Sequence, residues 1–263
     1  SWPTFGIMAD RPRILLTRLE GRGERLQQQL EQRGFRVERI AILTTEFVDL
    51  TDWRRMDDPE LMSGGWWAFT SVAAVQSVAR SGALRSVLQR SSAPDVAAVG
   101  PATGNAVRGL LGVEPRVVAD PTGGSQLARQ VLAADASGPS VVWFRGARAT
   151  DSLRKELDAA GRTCIERIVY AVNPTAGCVT AARCLRDGDV DLWIVASSAS
   201  ALAILAADAG IDEGERIASH TKIVAIGEAT AATLRAVGRD VAAVPTGPTD
   251  EAIVETVAAL FPC

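Results

Sequence analysis

The sequence has few of the residues on which many enzyme sites depend. Its 263 residues include one histidine, one tyrosine and four cysteines, and only two lysines, Lys155 and Lys222. With His220 alone, metal sites that need two histidines are excluded, and a Ser-His-Asp hydrolase would depend entirely on that residue. The cysteines form no C-x-x-C pair, which excludes the common zinc and thiol-redox motifs and favours a reducing compartment.

Nucleotide-binding motifs and long charged or apolar runs are missing as well. The stretch GRGERL from Gly21 lacks the third glycine of a dinucleotide-binding fingerprint, and no G-x-x-x-x-G-K-[ST] loop occurs. A net charge of −3 without a basic run argues against a nucleic-acid partner. We find no secretory leader and no apolar run of membrane-spanning length, so we expect a cytoplasmic protein without a membrane partner.

The chain does contain an internal repeat. VAAVGPATGNAV, which contains Gly100, and IVAIGEATAATL, which contains Gly227, place their glycines 127 residues apart. Three further pairs of blocks match at similar offsets: ILLTR with VVWFR, WAFTSVAAV with WIVASSASA, and DPTGG with VPTGP. Because the length suits two compact units better than one, the sequence predicts two copies of one domain.

Each copy shows the alternation of strands and helices that is typical of an α/β fold with a parallel sheet. Two longer β-rich stretches, from Arg36 and from Arg162, lie at equivalent places. They could pair as a two-stranded connection between the domains, or each could be the second strand of its own domain. The short predicted strands are 13–17, 66–69, 96–99, 116–118, 141–144, 192–195, 223–226 and 240–243.

Polar residues and glycines recur where these strands end and helices begin. Ligands of doubly wound sheets bind at that edge, where helix N-termini present free N–H groups. Two facing sets of such donors would suit a polyanionic small molecule held between the domains. For any single serine or threonine, helix capping is the simpler interpretation, and the duplication is what favours binding. The candidate binding residues are Arg18, Thr70, Ser71, Gly100, Thr103, Arg145, Gly146, Ser197, Ser198, Gly227 and Thr230.

Tyr170, the single tyrosine, lies in IVYAV near the expected domain junction. A phenol stays protonated at neutral pH and can donate a proton or a hydrogen bond to a leaving oxygen. From the residues alone, a structural role ranks before a catalytic one.

Seven blocks follow one another along the chain: ILLTR, WAFTSVAAV, VAAVGPATGNAV, VVWFRG, ERIVYAV, IVAIGEATAATL and VPTGPTDEAI. In their order and spacing they resemble the uroporphyrinogen-III synthase family over nearly the whole chain. The resemblance implies two flavodoxin-like, doubly wound parallel-sheet domains joined by a two-stranded β connection. It also implies that 1–39 and 174–263 form one domain and 48–167 the other, with 40–47 and 168–173 as the connecting strands. The repeat alone would divide the chain near Ala136.

The resemblance further implies a reaction. Members of this family close hydroxymethylbilane, an acidic linear tetrapyrrole, into a macrocycle with loss of water and inversion of the last ring, without a metal or an organic cofactor. Tyr170 then matches the tyrosine that assists departure of the hydroxyl group, while hydroxyls such as those of Ser71, Thr103 and Thr230 bind carboxylates. We expect a monomeric lyase, in which Arg18 or Arg145 attracts the substrate or else pairs with surface acids.

Two other classes stay open. A non-enzymatic two-domain protein could close an inter-domain cleft on a small molecule without chemistry. A glycosyltransferase-like enzyme with two domains is a weaker third interpretation.

Overall fold

The structure is a computed structural model that describes residues 11–21, 23–50, 65–121, 123–136, 138, 140–208 and 220–262. Residues 1–10 at the N-terminus lie outside the described residues. In chain order the elements are β1 (Arg13–Leu19), α1 (Glu24–Gln32), β2 (Arg36–Phe47), β3 (Trp66–Phe69), α2 (Val72–Arg80), α3 (Gly82–Val87), β4 (Asp95–Val99), α4 (Gly100–Ala106), β5 (Val117–Ala119), α5 (Gly124–Ala134), β6 (Val141–Gly146), α6 (Ser152–Ala159), β7 (Cys164–Pro174), α7 (Gly177–Arg186), β8 (Leu192–Val195), α8 (Ser198–Asp208), β9 (Lys222–Ala225), α9 (Glu228–Ala236) and α10 (Asp250–Leu260).

The fold is mixed α/β with one large, mostly parallel sheet, which confirms the predicted class. The strand order is β5-β4-β3-β6-β7-β2-β1-β8-β9. Parallel pairing joins β1 to β2 and β8, β3 to β4 and β6, β4 to β5, β6 to β7, and β8 to β9. Both long β-rich stretches therefore pair as the second strand beside the first strand of their own repeat.

The predicted strand at 240–243 is wrong. Only one parallel bridge, between Val224 and Ala243, forms there. The chain cannot continue the ladder for long, because Pro245 has no N–H to donate.

Contacts divide the chain into two compact units. Unit 1 comprises the described residues up to Thr44 together with those from Asn173 onward, and unit 2 comprises Thr45–Val172. Strands β2 and β7 each have residues in both units.

Unit 2 contains a sheet that is covered by helices on both faces. All four residues of β3 are buried, and they alternate between the two faces, as the pleat requires. Trp67 and Phe69 pack with residues of α2 on one face. Trp66 and Ala68 pack with residues of α5 and α6 on the other. This double burial explains why its strands read as continuous apolar runs.

In unit 1, strands β2, β1, β8 and β9 lie in that order. Ile14 and Ile194 pack with Leu26 and Leu30 of α1 and with Ile253 of α10. The buried positions of α1 are four residues apart, which places both on the face toward the sheet.

Candidate functional site

Tyr170 lies on β7 in unit 2, beside the residues that follow β3. Its hydroxyl oxygen is 2.9 Å from the Oγ of Ser71, and both side chains are half-buried. Ser71 has an extended backbone and caps α2, where its Oγ accepts a hydrogen bond of 3.2 Å from the N–H of Ala74. Ser71 therefore caps a helix and contacts the tyrosine at the same time.

Gly146, at the end of β6, lies directly against the tyrosine ring. It pairs in register with Tyr170 after a shift in register that follows Arg145. A Cβ atom on Gly146 would lie 2.6 Å from Cζ of Tyr170 and 2.8 Å from its hydroxyl oxygen. The N–H of Ala147 also donates to the carbonyl of Tyr170 at 2.9 Å. Three of the predicted site residues, Ser71, Gly146 and Tyr170, are thus brought together.

A second serine joins α2 to β7. The Oγ of Ser77 donates to the carbonyl oxygen of Val169 at 2.8 Å, and both residues are buried. Nothing in the sequence pattern indicates this contact, because a serine inside a helix often bonds only to its own helix or to solvent.

Thr70 precedes Ser71 but has a different neighbour. Its Oγ1 accepts a hydrogen bond of 3.0 Å from the indole N–H of Trp143. The predicted binding hydroxyl therefore satisfies a largely buried indole donor.

Arg145 is a buried member of an ion-pair cluster. Its Nη1 lies 3.0 Å from Oδ1 of Asp151 and 2.9 Å from Oε2 of Glu166, while the residue is only 6% exposed. The hydrogen bond from Arg145 holds the pKa of Asp151 below its ordinary value. Arg145 therefore pairs with acids, the alternative that the sequence left open, and it does so in a buried position.

The same guanidinium also holds the turn after β6. It donates to the carbonyl oxygens of Gly146, at 3.4 Å, and of Ala149. It also stacks over the ring of Trp143, with 4.3 Å between Cζ and the ring centroid. Arg145 thus fixes the backbone on which Gly146 lies.

The two repeated glycines differ in conformation. Gly100 begins α4 with φ of 72°, in the left-handed region that favours glycine. Gly227 caps α9 with φ of −158°, an extended conformation that any residue can adopt. Thr103 and Thr230, three residues further on, are both buried, at 4% and 5% exposure.

The predicted serines of unit 1 mainly bond within their unit. Ser197 accepts from the N–H of Ser200 at 3.1 Å, in the geometry of a helix cap. Ser198 donates to the carbonyl of Ala229 at 3.2 Å and lies 2.9 Å from the Oγ1 of Thr233. The capping interpretation accounts for the contact of Ser197, whereas Ser198 bonds to two residues of helix α9.

Arg18 lies at the end of β1, and its stem packs against the turn before α1. A Cβ on Gly23 would lie 3.0 Å from Cγ of Arg18. The preceding residue, Thr17, is fully buried, donates to the carbonyl of Ile194 at 3.2 Å and accepts from the indole of Trp193 at 2.9 Å. This Thr17 contact was not predicted.

The cysteines of the described chain are shielded thiols. Burial, with smaller contributions from the charges of Glu166 and Asp158, raises the pKa of Cys164 to about 12. Burial also raises the pKa of Cys178 and of Cys184. Within the described ranges, no group of three or more His, Cys, Asp and Glu side chains could hold a metal ion. None of the helices described is long and apolar enough to cross a membrane.

Comparison with protein families decides the relationship. A family model described as uroporphyrinogen-III synthase HemD matches residues 13–255. The chain belongs to the uroporphyrinogen-III synthase family. It is accordingly an enzyme of tetrapyrrole biosynthesis, which confirms the family and the biosynthetic function that the resemblance implied.

Solved structures of uroporphyrinogen-III synthases share the fold. A variant from the extremely thermophilic bacterium Thermus thermophilus superposes with a TM-score of 0.66 at 18% identity, covering 95% of this chain and 98% of that chain. The protein from Helicobacter pylori gives 0.62 at 16% identity, with coverage of 94% and 99%. Comparison with curated protein sequences finds no match.

Proposed function

We propose that this uroporphyrinogen-III synthase acts as a cofactor-independent lyase in which Tyr170 is the proton donor. The observation that carries the proposal is the contact of the single tyrosine hydroxyl with Ser71, at 2.9 Å, where β3 ends and α2 begins. The ring lies against Gly146. A protonated phenol at the carboxyl edge of a parallel sheet has both the chemistry and the position to act on a bound ligand.

The proposed reaction begins at the hydroxymethyl group of hydroxymethylbilane. Its C–O bond breaks, the departing oxygen takes the proton of Tyr170 and leaves as water, and the remaining methylene pyrrole, which keeps its N–H, is an electrophilic azafulvenium cation. The terminal pyrrole attacks through its substituted carbon to form a spiro intermediate, which reopens and recloses with the last ring inverted. The closed ring loses one proton, which restores the phenol.

Spontaneous closure to the uninverted type I isomer competes with this reaction. Each tenfold preference for the inverted product requires about 1.4 kcal/mol of differential transition-state stabilisation. The site must therefore hold the bent substrate correctly more than it must supply a strong acid. Arg18, Gly100, Thr103, Ser197, Ser198, Gly227 and Thr230 remain predicted carboxylate-binding residues.

We further propose that each unit is a flavodoxin-like domain, with 40–47 and 168–173 as connecting strands. In unit 1 we number β1, β2, β8 and β9 as strands 1 to 4, and the bridge at Ala243 takes the fifth position. In unit 2 we number β6, β7, β3, β4 and β5 as strands 1 to 5. The observed order is then 2-1-3-4-5 in both units. This is the order of doubly wound flavodoxin-like sheets. We also propose that the protein is a cytoplasmic monomer that does not bind nucleic acid.

A product assay tests the function. We expect the protein, mixed with freshly generated hydroxymethylbilane, to yield type III product in excess over the spontaneous type I isomer. We expect Tyr170→Phe to lower turnover by about 10²-fold while thermal unfolding stays cooperative with a slightly lower midpoint, because the phenyl ring keeps its packing and only the hydrogen bond to Ser71 is lost. Ser81→Ala serves as the control and should retain turnover. It removes a hydroxyl group of unit 2 that caps helix α3.

The outcomes separate the alternatives. Full turnover by the Tyr170→Phe variant would remove Tyr170 from the mechanism. If the unmodified protein binds hydroxymethylbilane but releases only type I product, the chain is a binding protein and the proposed activity is wrong.

A further inference from the structure

Ser71 connects a helix terminus to the tyrosine hydroxyl. Its Oγ accepts from the N–H of Ala74 at 3.2 Å and lies 2.9 Å from the hydroxyl oxygen of Tyr170. Either hydroxyl could donate in the second contact. The direction matters, because each hydroxyl has one proton and two lone pairs.

We infer that Ser71 donates its proton to the oxygen of Tyr170 and thereby directs the phenolic O–H toward the ligand. Ser71 is then a positioning residue that acts through the tyrosine and does not itself contact a carboxylate. The inference rests on the proposed role of Tyr170 as proton donor. It assigns to Ser71 a task different from the carboxylate binding that the sequence predicted.

The requirement of a free phenolic proton favours this direction. If Tyr170 donated to Ser71, its only proton would be held by the protein and would have to leave that bond before reaching a substrate. If Ser71 donates instead, the tyrosine oxygen is bonded while its proton stays available. The hydrogen bond also stabilises the phenolate that forms when the proton is transferred.

The helix terminus strengthens the donor. Ser71 precedes the first turn of α2, where backbone N–H groups carry partial positive charge. By accepting from the N–H of Ala74, its Oγ becomes a better donor, since hydrogen bonds in a chain polarise one another. The chain of donors therefore runs from Ala74 through Ser71 to Tyr170.

The tyrosine ring is also held by Gly146. A methyl group there would overlap Cζ of Tyr170 at 2.6 Å. The contact limits where the ring can lie, and Ser71 then fixes its oxygen. Two independent contacts therefore define the position of one hydroxyl group.

Ser77 provides a matched control for structural effects. It lies on the same helix α2 and donates at 2.8 Å to the carbonyl of Val169, the residue before Tyr170. Ser77→Ala removes a hydrogen bond between the same two elements without removing any contact of the phenol. A purely structural role of Ser71 would be reproduced by this variant.

The first experiment is a pH titration of tyrosinate absorbance. Tyr170 is the single tyrosine in the chain, so the signal reports one group. Loss of a donor to the phenolate should shift the midpoint of Ser71→Ala to higher pH by about half a unit. Ser71→Thr should restore the midpoint and Ser77→Ala should leave it in place, with circular dichroism marking the pH range in which the fold persists. A shift to lower pH, or none, would overturn the inference.

The second experiment is a kinetic double-mutant cycle. We expect Ser71→Ala to lower kcat about tenfold with little change in KM, Ser71→Thr to recover most of it, and Ser77→Ala to retain it. In the Tyr170→Phe background, Ser71→Ala should cause no further loss. An equal loss in both backgrounds contradicts the positioning role. Full turnover by Tyr170→Phe alone would instead remove the proposed proton donor, whatever the titration shows about Ser71.

Discussion

Two tryptophans at matching positions of the repeat have different surroundings. Trp193 is fully buried and donates its indole N–H to Thr17 at 2.9 Å. Trp67 is equally buried, yet its indole nitrogen has no hydrogen-bond partner in the part of the chain that the structure describes. It lies edge-to-face with Phe144, with ring centroids 4.9 Å apart. Phe144 follows Thr17 by 127 residues, so one exchange between the repeats accounts for the difference.

This difference predicts unequal costs for the same substitution. Trp193→Phe should lower the free energy of unfolding by about 1 kcal/mol more than Trp67→Phe, because only Trp193 loses a hydrogen bond. Denaturant unfolding of both variants measures the two values. In a Thr17→Val background, Trp193→Phe should cost no more than Trp67→Phe, because the acceptor of the Trp193 hydrogen bond is already absent. Equal losses in the two single variants would contradict the argument.

The residues that form the site were predictable to different degrees. Ser71, Gly146 and Tyr170 meet because parallel strands bring their carboxyl ends to the same edge of a sheet, which periodicity can reveal. The pairing of Arg145 with Glu166 was not predictable, because the sequence does not say which charges become neighbours across a sheet. The sequence also could not show whether a serine or threonine caps a helix or binds a ligand, because both roles use the same hydroxyl group.

Among the elements, strands that are buried on both faces were predicted best. β3 and β8 have the bounds that their apolar runs indicate. The role of the two long β-rich stretches could not be predicted, because it depends on which strands they pair with. In the structure β2 pairs with β1 and β7 pairs with β6, so each is the second strand of its own repeat. Helix α3 was not predicted, because its six residues are too few to show a period.

The turn between β6 and α6 depends on the negative charge of Asp151, which is lost when the carboxylate is protonated at low pH. Arg145 donates to Asp151 at 3.0 Å and keeps its pKa low. The stability contributed by ionised Asp151 is therefore complete above the ordinary value of a carboxyl group and is lost as the pH falls through the lower, folded value.

We expect Asp151→Asn to lower the thermal unfolding midpoint at about pH 7, where the ion pair is present. The gap between this variant and the unmodified protein should narrow as the medium is acidified to about pH 3. Glu228→Gln, which removes one partner of an exposed ion pair with Arg235, is the control and should have little effect. A gap that stays constant with pH would show that the ionised carboxylate is not what stabilises the turn.

At the scale of the whole molecule, the repeats and the units do not coincide. Unit 1 takes β1, α1 and the beginning of β2 from the first repeat and β8 and β9 from the second. Unit 2 takes β3, β4 and β5 from the first repeat and β6 with most of β7 from the second. The repeat is visible in the sequence because it is a local pattern of side chains. The strand partners are not visible there, because they depend on contacts between residues that are far apart in the chain.

Fragments divided after Ala136, where the repeat alone would place the boundary, test this arrangement. Each fragment should fail to unfold cooperatively by itself, because it holds only some of the strands of each unit. Mixing the two should restore cooperative unfolding, followed by circular dichroism, and type III product. Residues 45–172 alone, which hold one unit whole, should unfold cooperatively without a partner. Independent folding of either half would show that the repeats are the folding units.

The assembly of unit 1 from two separate segments, one before and one after unit 2 in the sequence, has a consequence for synthesis on the ribosome. Strands β3 to β6 and nearly all of β7 leave the exit tunnel before β8, so unit 2 can complete its sheet while translation continues. The pair β1 and β2, although made first, lacks β8 as a neighbour until the last third of the chain emerges. Of the described strands, β1 is therefore the one that waits longest for a sheet neighbour, and it is where a nascent chain would need protection from aggregation.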